Sequence, residues 1–231
     1  GNGIGGFAIQ TAGIAAGSGP IDIALGDFND DDILDFVTAN NGAQTSSIFY
    51  GGETSYFIGG EFTLVNGTTI NRIAKLDTDG TINFTSFNPG AGANGTVRDL
   101  VIDNLGRLII VGDFTLVNAI PRKGIARLNA DGSVDMSFAP GTGAVQGNIY
   151  AVDIDPVTQK IVVGGNFNGF SGAPGERPML ARLEINGAVD TDFDTNPIMN
   201  PPFGTVSGIV KALAVRPDGR VIVGGSFTQP N

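Results

Sequence analysis

The chain contains 231 residues, 41% of them hydrophobic and 36 of them glycine, and 13 basic against 23 acidic side chains give it a formal net charge of −10. This acidic balance excludes the broad cationic surface that nucleic-acid phosphates and anionic membranes require. The absence of Cys, His and Trp excludes disulfides, zinc sites built on Cys or His, and Ser-His-Asp or Cys-His catalysis within this chain.

The first predicted element is a β-hairpin built around an acidic loop. Residues 21–25, IDIAL, alternate apolar with polar or small side chains, which is typical of a half-buried strand. Residues 26–35, GDFNDDDILD, then bring together five aspartates and one asparagine, and residues 33–37, ILDFV, form the strand that leaves the loop. An EF-hand is excluded, because it needs flanking helices and a Glu at loop position 12, where this chain has Thr38.

The spacing within this loop favours a hard cation. Oxygens at alternate positions of a tight loop converge on one centre, and Ca²⁺ accepts six to eight of them in a flexible shell. An acidic surface turn without a metal is the alternative, since Asp and Asn are favoured turn residues. Self-repulsion of the carboxylates argues against that alternative. The predicted Ca²⁺ ligands are the side chains at loop positions 1, 3, 5 and 9 and one backbone carbonyl: Asp27, Asn29, Asp31, Asp35 and Ile33.

The acidic loop resembles the FG-GAP repeat of integrin α-chain propellers and many bacterial surface proteins, whose loop reads D-x-[DN]-x-D-G-x-x-D. The resemblance covers residues 1–53 and implies a calcium-binding propeller blade. Asp32 departs from the family, which has glycine there, although Asp tolerates a left-handed backbone better than most residues. We expect the site to persist with weaker binding, and Asp30 and Asp32 to face solvent.

From residue 54 onward the sequence repeats. Four copies of a Gly-x-Phe pattern are anchored 52, 53 and 60 residues apart at Phe62, Phe114, Phe167 and Phe227. Each unit predicts four short strands joined by Gly-containing turns. In the unit around Phe114 they are RDLVID, RLIIVGDF, GIARLN and SVDMSF. Four-stranded units at this period are typical of a β-propeller, and a β-solenoid-like array is the alternative.

The repeated pattern GG-x-F followed by I-A-R-L-N-x-D-G-S-x-D-x-x-F resembles the delta-60 repeat, a bacterial β-propeller repeat often found in large surface or secreted proteins. It covers residues 54–231, with three near-complete copies and a truncated fourth. The resemblance implies an all-β propeller of antiparallel blades and no particular activity. Both ends of the sequence fall inside repeats, so we expect a fragment of a longer protein or a blade closed from both ends, with the two repeat types in one continuous propeller.

Further polar positions recur once per repeat. The hairpin turns carry triplets, interpreted as turn caps with cation contact as the alternative: Asp77, Asp79 and Asn83; Asn129, Asp131 and Asp135; Glu184, Asn186 and Asp190. Two rings around the propeller axis either line a ligand-binding face or form ordinary inter-blade salt bridges: Glu61, Asp113, Asn166 and Ser226; Lys75, Arg127 and Arg182. Two proline-containing insertions, residues 168–180 and 194–208, lie either on a binding surface or at positions of neutral variation.

These features favour a non-enzymatic, calcium-stabilised extracellular β-propeller, acting as an adhesion, binding or display module of a larger surface or secreted protein. Its expected partner is a protein or a glycan. A structural element of a surface layer, sheath or fibre, with lateral self-association, is the alternative. A carbohydrate-active enzyme needs two carboxylates, and no acidic pair stands out. No apolar run reaches the roughly 20 residues that span a bilayer, so neither membrane insertion nor nucleic-acid binding is expected.

Overall fold

The computed structural model describes residues 20–26, 35–40, 45–49, 55–77, 80–170, 178–193 and 207–228. Within these ranges all of the regular elements are β-strands, paired antiparallel. No helix in the described part of the chain is long and apolar enough to cross a membrane.

The strands follow one another at short intervals along the chain. They are β1 (Pro20–Gly26), β2 (Asp35–Asn40), β3 (Thr45–Phe49), β4 (Ser55–Gly59), β5 (Leu64–Val65), β6 (Thr68–Thr69), β7 (Ile73–Asp77), β8 (Val97–Ile102), β9 (Leu108–Gly112), β10 (Leu116–Val117), β11 (Ile120–Pro121), β12 (Ile125–Leu128), β13 (Ala144–Val145), β14 (Ile149–Ile154), β15 (Ile161–Gly165), β16 (Gly169–Phe170), β17 (Leu180–Leu183), β18 (Ser207–Val215) and β19 (Val221–Thr228).

The sheets repeat one pattern, as the sequence predicts. Blade 1 contains β4 and β7, blade 2 contains β8, β9 and β12, blade 3 contains β14, β15 and β17, and blade 4 contains β18 and β19. A separate N-terminal sheet has the order β1-β2-β3, and β3 lies beside β4 and β8. In blades 2 and 3 the second strand is central, and the first strand lies next to the corresponding strand of the neighbouring blade.

The predicted fourth strand of each unit is smaller than expected. In blade 2 it is reduced to one isolated bridge between Leu128 and Val134. The chain then leaves the ladder because the carboxylate of Asp135 accepts hydrogen bonds from the backbone N–H and the hydroxyl of Ser137. Blades 1 and 3 have equivalent single bridges. In the described residues, each blade predicted to have four strands therefore contains at most three strands and one isolated bridge.

The insertions predicted from the sequence are also shorter than expected. The first insertion contains β16, which pairs with β13 in a small separate sheet, and ends at Leu180, the first residue of β17 in blade 3. Ser207 and Gly208 at the end of the second are the first residues of β18. The remaining residues, 171–177 and 194–206, lie outside the described ranges.

The core lies between successive blades and is set by the alternation of β9. Leu108 and Ile110 join an apolar cluster with Phe57 and Ile73 of blade 1. Ile109 and Val111 join a second cluster, which contains residues of blade 3. Because β9 is covered on both sides, it is a continuous apolar run and not an alternating one.

The anchoring phenylalanines pack in the apolar clusters. Phe114 and Phe167 are fully buried in the two inter-blade clusters, and Phe62 is half-buried against a third cluster in blade 1. The side chain of Phe227 lies outside the described part of the structure.

Candidate ligand-binding cleft

A cleft of about 470 Å³ lies at the beginning of three neighbouring inner strands, and it is lined by Arg98, Tyr150, Ile209 and Lys211. Arg98 belongs to β8, Tyr150 to β14 and the other two to β18. Since β14 lies next to both β8 and β18, residues that are 50 to 60 positions apart in sequence meet at one surface.

Each blade presents its cleft residue through a β-bulge. Arg98, Tyr150 and Lys211 each occupy the position where the pairing register of the inner strand shifts. An extra residue in a strand is left out of the ladder and its side chain is re-aimed. The residue before each bulge is fully buried: Val97, Ile149 and Val210. The bulge thus anchors one side chain in the core and directs the next into the cleft.

A glycine opposite each bulge makes this geometry possible. A Cβ at Gly112, Gly165 or Gly225 would lie 2.0, 2.0 or 1.9 Å from a carbonyl oxygen in, or immediately before, the paired inner strand. No side chain fits there, so the glycine two residues before Phe114, Phe167 and Phe227 is the sequence signal of the bulge. Sequence reasoning found this glycine but not the residues that it positions.

Arg98 is held in place before any ligand arrives. Its Nε donates to Oδ1 of Asp113 at 2.8 Å, its Nη2 donates to Oδ2 of the same carboxylate, and its guanidinium carbon lies 4.9 Å from the centre of the Tyr150 ring. The hydrogen bonds to Asp113 raise the pKa of Arg98 above its ordinary value, and the negative charge of Glu61 acts in the same direction. Arg98 is therefore a rigid, charged wall of the cleft.

Lys211 has a different environment at the equivalent position of blade 4. Its side chain is exposed, and no ion pair or hydrogen bond joins it to another side chain within the described ranges. Asp113, which neutralises Arg98, precedes Phe114; the residue that precedes Phe227 is Ser226. Blade 4 therefore keeps the cation of the pair and replaces the carboxylate with a hydroxyl.

The second predicted ring does not line the cleft. Arg127 is only 2% exposed; its Nε donates to Oδ2 of Asp135 at 2.8 Å, its guanidinium lies 4.7 Å from the centre of the Phe138 ring, and its Nη1 donates to the carbonyl of Ile185 in the next repeat. These contacts are structural, but the salt bridge lies within one repeat, so the predicted inter-blade salt bridge is wrong for Arg127, and only the hydrogen bond to Ile185 joins two repeats.

Several other members of the two rings are structural as well. Arg182 donates to Asp190 at 2.6 Å and lies over the Phe193 ring, and Lys75 lies 5.2 Å from the centre of the Phe57 ring. The carboxamide of Asn166 accepts a hydrogen bond from the backbone of Asn148. Of the residues in the two predicted rings, Asp113 and Glu61 act on the cleft, through Arg98.

The turn triplets cap backbone groups. Asp131 accepts from the backbone N–H and the hydroxyl of Ser133, which lowers its pKa, and Asn186 accepts from the backbone of Ala188. Asn83 donates to Asp77 at 2.6 Å. Among the residues that the structure describes, no group of three or more acidic, His or Cys side chains is placed to hold a metal ion. The interpretation as backbone caps is confirmed for the members that accept from backbone N–H groups, Asn83, Asp131, Asp135, Asn186 and Asp190, and Asp79 lies outside the described ranges.

The hairpin that carries the acidic loop is present, with Gly26 of β1 opposite Asp35 of β2. Asp27, Asn29, Asp31 and Ile33 lie outside the described residues, as do Asp30 and Asp32, and only the backbone of Asp35 is described. The calcium site remains a prediction.

Two carboxylates join the inner strands behind the cleft. Asp99 of β8 accepts a hydrogen bond from the backbone N–H of Val152 in β14, and Asp153 of β14 accepts one from Val215 in β18. Burial raises the pKa of Asp99 to about 7 and raises that of Asp153 too. Both residues satisfy edge N–H groups that no strand of their own blade pairs. An acidic residue inside an otherwise apolar strand was the signal, and sequence reasoning did not use it.

The repeated antiparallel blades, packed face to face with their inner strands side by side, define a β-propeller. The family described as "Domain of unknown function (DUF5122) beta-propeller" matches residues 48–83, 106–138, 160–193 and 216–231. The chain belongs to this family, and the predicted fold class is confirmed. Arg98, Tyr150, Ile209 and Lys211 lie between the matched segments, so the family defines the scaffold of the cleft and not its lining.

A solved structure of similar outline is the extracellular domain described for a one component system, BT4673, from B. thetaiotaomicron. The two chains share 11% identity with a TM-score of 0.44, and the match covers 82% of this chain and 23% of the other. The chain thus spans about a quarter of that protein. No curated protein matches the sequence.

Proposed function

We propose that this β-propeller is a non-enzymatic binding module of a surface or secreted protein, and that Ca²⁺ bound in the loop 27–35 stabilises it. The FG-GAP-like and delta-60-like patterns of the sequence support this assignment. The observation that carries it is the cleft, in which three blades supply three different side chains from one equivalent position.

The difference among these side chains argues for a ligand. A position that only holds the blades together is filled alike in every repeat, as Val97, Ile149 and Val210 are. The bulge positions are instead occupied by Arg98, Tyr150 and Lys211. A concave site with an apolar wall and a few oriented polar groups is the usual form of a small-ligand pocket.

The carboxylate that pairs with Arg98 supports binding over hydrolysis. Both oxygens of Asp113 accept hydrogen bonds from Arg98, so this carboxylate serves to position the cation of the cleft. A glycosidase needs two carboxyl groups about 5 to 9.5 Å apart across the scissile bond.

The binding function is tested by presenting the protein to arrays of glycans and of host surface proteins. Saturable binding that is lost when Arg98 and Lys211 are both replaced by Gln supports the proposal. Binding that persists in this double variant removes the cleft as the site. Ordered sheets or filaments of the purified protein, with no ligand on either array, favour the structural alternative instead.

The calcium part of the proposal is tested by calorimetric titration and by thermal unfolding with and without EDTA. Extracellular calcium modules bind at about 0.1 to 1 mM, so millimolar Ca²⁺ is expected to add about 0.4 to 1.4 kcal/mol of stability. Asp27→Ala removes a predicted ligand and abolishes the heat, whereas Asp30→Ala, a matched change at a predicted solvent-facing position, retains it. An unchanged melting temperature in EDTA would exclude the site.

A further inference from the structure

The cleft contains a cation whose counter-ion is missing. Arg98 and Lys211 occupy equivalent bulges, but Asp113 neutralises the first, while Ser226 stands at the corresponding position for the second. The ammonium of Lys211 is exposed and has no ion-pair partner in the described part of the chain. A charged group left free at the wall of a concave site is positioned to bind a group of opposite charge.

Arg98 is the second cation of the cleft, and it adds to the positive charge of Lys211. Asp113 engages Nε and Nη2 of Arg98, and no hydrogen bond to Nη1 occurs among the described residues. This group retains N–H donors for a further acceptor. Its position is fixed by the ion pair and by the Tyr150 ring, so little side-chain entropy is lost when it binds.

The remaining lining sets the size and character of the ligand. Tyr150 and Ile209 provide an aromatic and an aliphatic wall, and a volume of about 470 Å³ exceeds the needs of a bare inorganic anion. Pockets of roughly 300 to 1,000 Å³ hold organic ligands. The net charge of −10 repels extended polyanions. The ligand class that remains is a compact molecule with a single negative group.

Building on the proposed binding function, we infer that the cleft takes a sugar bearing one carboxylate, with Lys211 as the group that binds the carboxylate. The sugar ring lies against Tyr150 and Ile209, and Arg98 supplies a second donor. The carboxylate of the ligand makes an ionic contact and its ring makes apolar contacts, so neither the charge nor the ring alone is sufficient for tight binding.

The test uses matched ligands on the intact chain, with affinities from calorimetry or NMR titration in millimolar Ca²⁺. The probes are the methyl glycosides of glucuronic acid, galacturonic acid and N-acetylneuraminic acid, the uncharged glucoside and galactoside, and acetate. At least one acidic glycoside is expected to bind about 10-fold more tightly than the uncharged sugars and acetate, because a charge-assisted hydrogen bond adds about that factor.

The variants distinguish an effect of the Lys211 charge on binding from an effect on folding. Lys211→Gln is expected to reduce the affinity for the acidic glycoside about 10-fold and leave the melting temperature unchanged, while Lys211→Arg retains binding. Arg220→Gln makes the same charge change at the other end of the β18–β19 hairpin and is expected to have no effect.

Several outcomes overturn the inference. Equal binding of acidic and uncharged glycosides, or full affinity in Lys211→Gln, excludes Lys211 as the anion-binding group. Acetate binding as tightly as the glycosides reduces the cleft to a simple anion site. If an uncharged glycan or a protein binds instead, and this binding depends on Tyr150, an acidic sugar is excluded as the ligand while the proposed binding function stands. The absence of any ligand would exclude both.

Discussion

Two positions of this propeller each recur in three of its repeats and differ in what fills them, since the I-A-[KR]-L strand always carries a cation, Lys75, Arg127 or Arg182. In the I-A-[KR]-L strand the cation is repeated as Arg127 and Arg182, each bonded to an aspartate eight residues later, Asp135 and Asp190. At the inner-strand bulge the backbone is repeated but the side chain is not. A chemically constant position indicates packing, and a variable side chain on a constant backbone indicates recognition.

The largest expected effect is at the constant position. Arg127→Ala leaves the buried carboxylate of Asp135 with only the longer ion pair to Arg107 at 3.7 Å, and should lower the free energy of unfolding by about 3 kcal/mol. Arg182→Ala should cost about 1 kcal/mol, because Lys160 also pairs with Asp190 at 2.9 Å and Arg182 is more exposed. Urea unfolding of the two variants measures both values, and equal losses would contradict the assignment of the Arg127 pair as the buried one.

The next prediction concerns the backbone of the bulge and not the side chain that the bulge presents. Gly165→Ala places a Cβ against the carbonyl of Asn148, so the bulge that presents Tyr150 must shift, at a cost of about 1 to 3 kcal/mol. We also expect ligand binding at the cleft to weaken. Gly224→Ala is the control, since its Cβ would be 4.0 Å from the nearest atom. Wild-type stability in Gly165→Ala would show that the glycine does not determine the bulge.

A third effect concerns the carboxylates that join the inner strands. The pKa of Asp99 is raised to about 7 by burial, so the folded protein favours the protonated form. The stability that Asp99 contributes is fully present below about pH 4, the ordinary pKa of an Asp carboxyl, and is lost as the pH rises through about 7. Asp153 acts in the same direction.

The measurement is the free energy of unfolding at pH 5 and pH 8. Wild type should gain on the order of 1 kcal/mol more than Asp99→Asn when the pH falls between these values. The pKa of Asp135 is lowered by its hydrogen bonds to Ser137 and then to Arg127, and the pKa of Asp190 by those to Lys160 and Arg182, so both groups titrate below pH 4 and do not contribute between pH 5 and pH 8. Identical pH dependence in the two proteins would exclude Asp99 as the responsible group.

The smallest effect is at the variable position. Lys211→Gln should leave the free energy of unfolding within about 0.5 kcal/mol of wild type, because the side chain is exposed and makes no ion pair among the described residues. Thermal or urea unfolding checks this value. A loss of 1 kcal/mol or more would assign Lys211 to the scaffold and remove the contrast between the two positions.

The sequence predicts the parts of this molecule that depend on local pattern. The spacing of Phe114 and Phe167 identifies the blades, the Asp131-Gly132 pair identifies a turn, and the run around Gly26 and Asp35 identifies a hairpin. Each of these follows from residues that lie near one another along the chain. The same locality explains why the turn triplets were correctly interpreted as caps.

The cleft depends on a different kind of information. Arg98, Tyr150 and Lys211 meet because three inner strands lie side by side, and each is directed by a one-residue register shift. A register shift reverses the face on which every following side chain lies. The hydrogen bond from Val152 to Asp99 depends on how far one blade slides against the next. Neither quantity is encoded in the pattern of a single repeat.

The alternation of β9 has a consequence for how the protein unfolds. Ile109 and Val111 contact the blade on one side, whereas Leu108 and Ile110 contact the blade on the other. The central strand therefore separates two interfaces that share a backbone but no side chains. Stability in such an array is close to a sum of nearest-neighbour terms, so a substitution at Ile109 should loosen one junction and spare the other. Partial unfolding would then proceed junction by junction, and hydrogen exchange at β9 would report the weaker of the two.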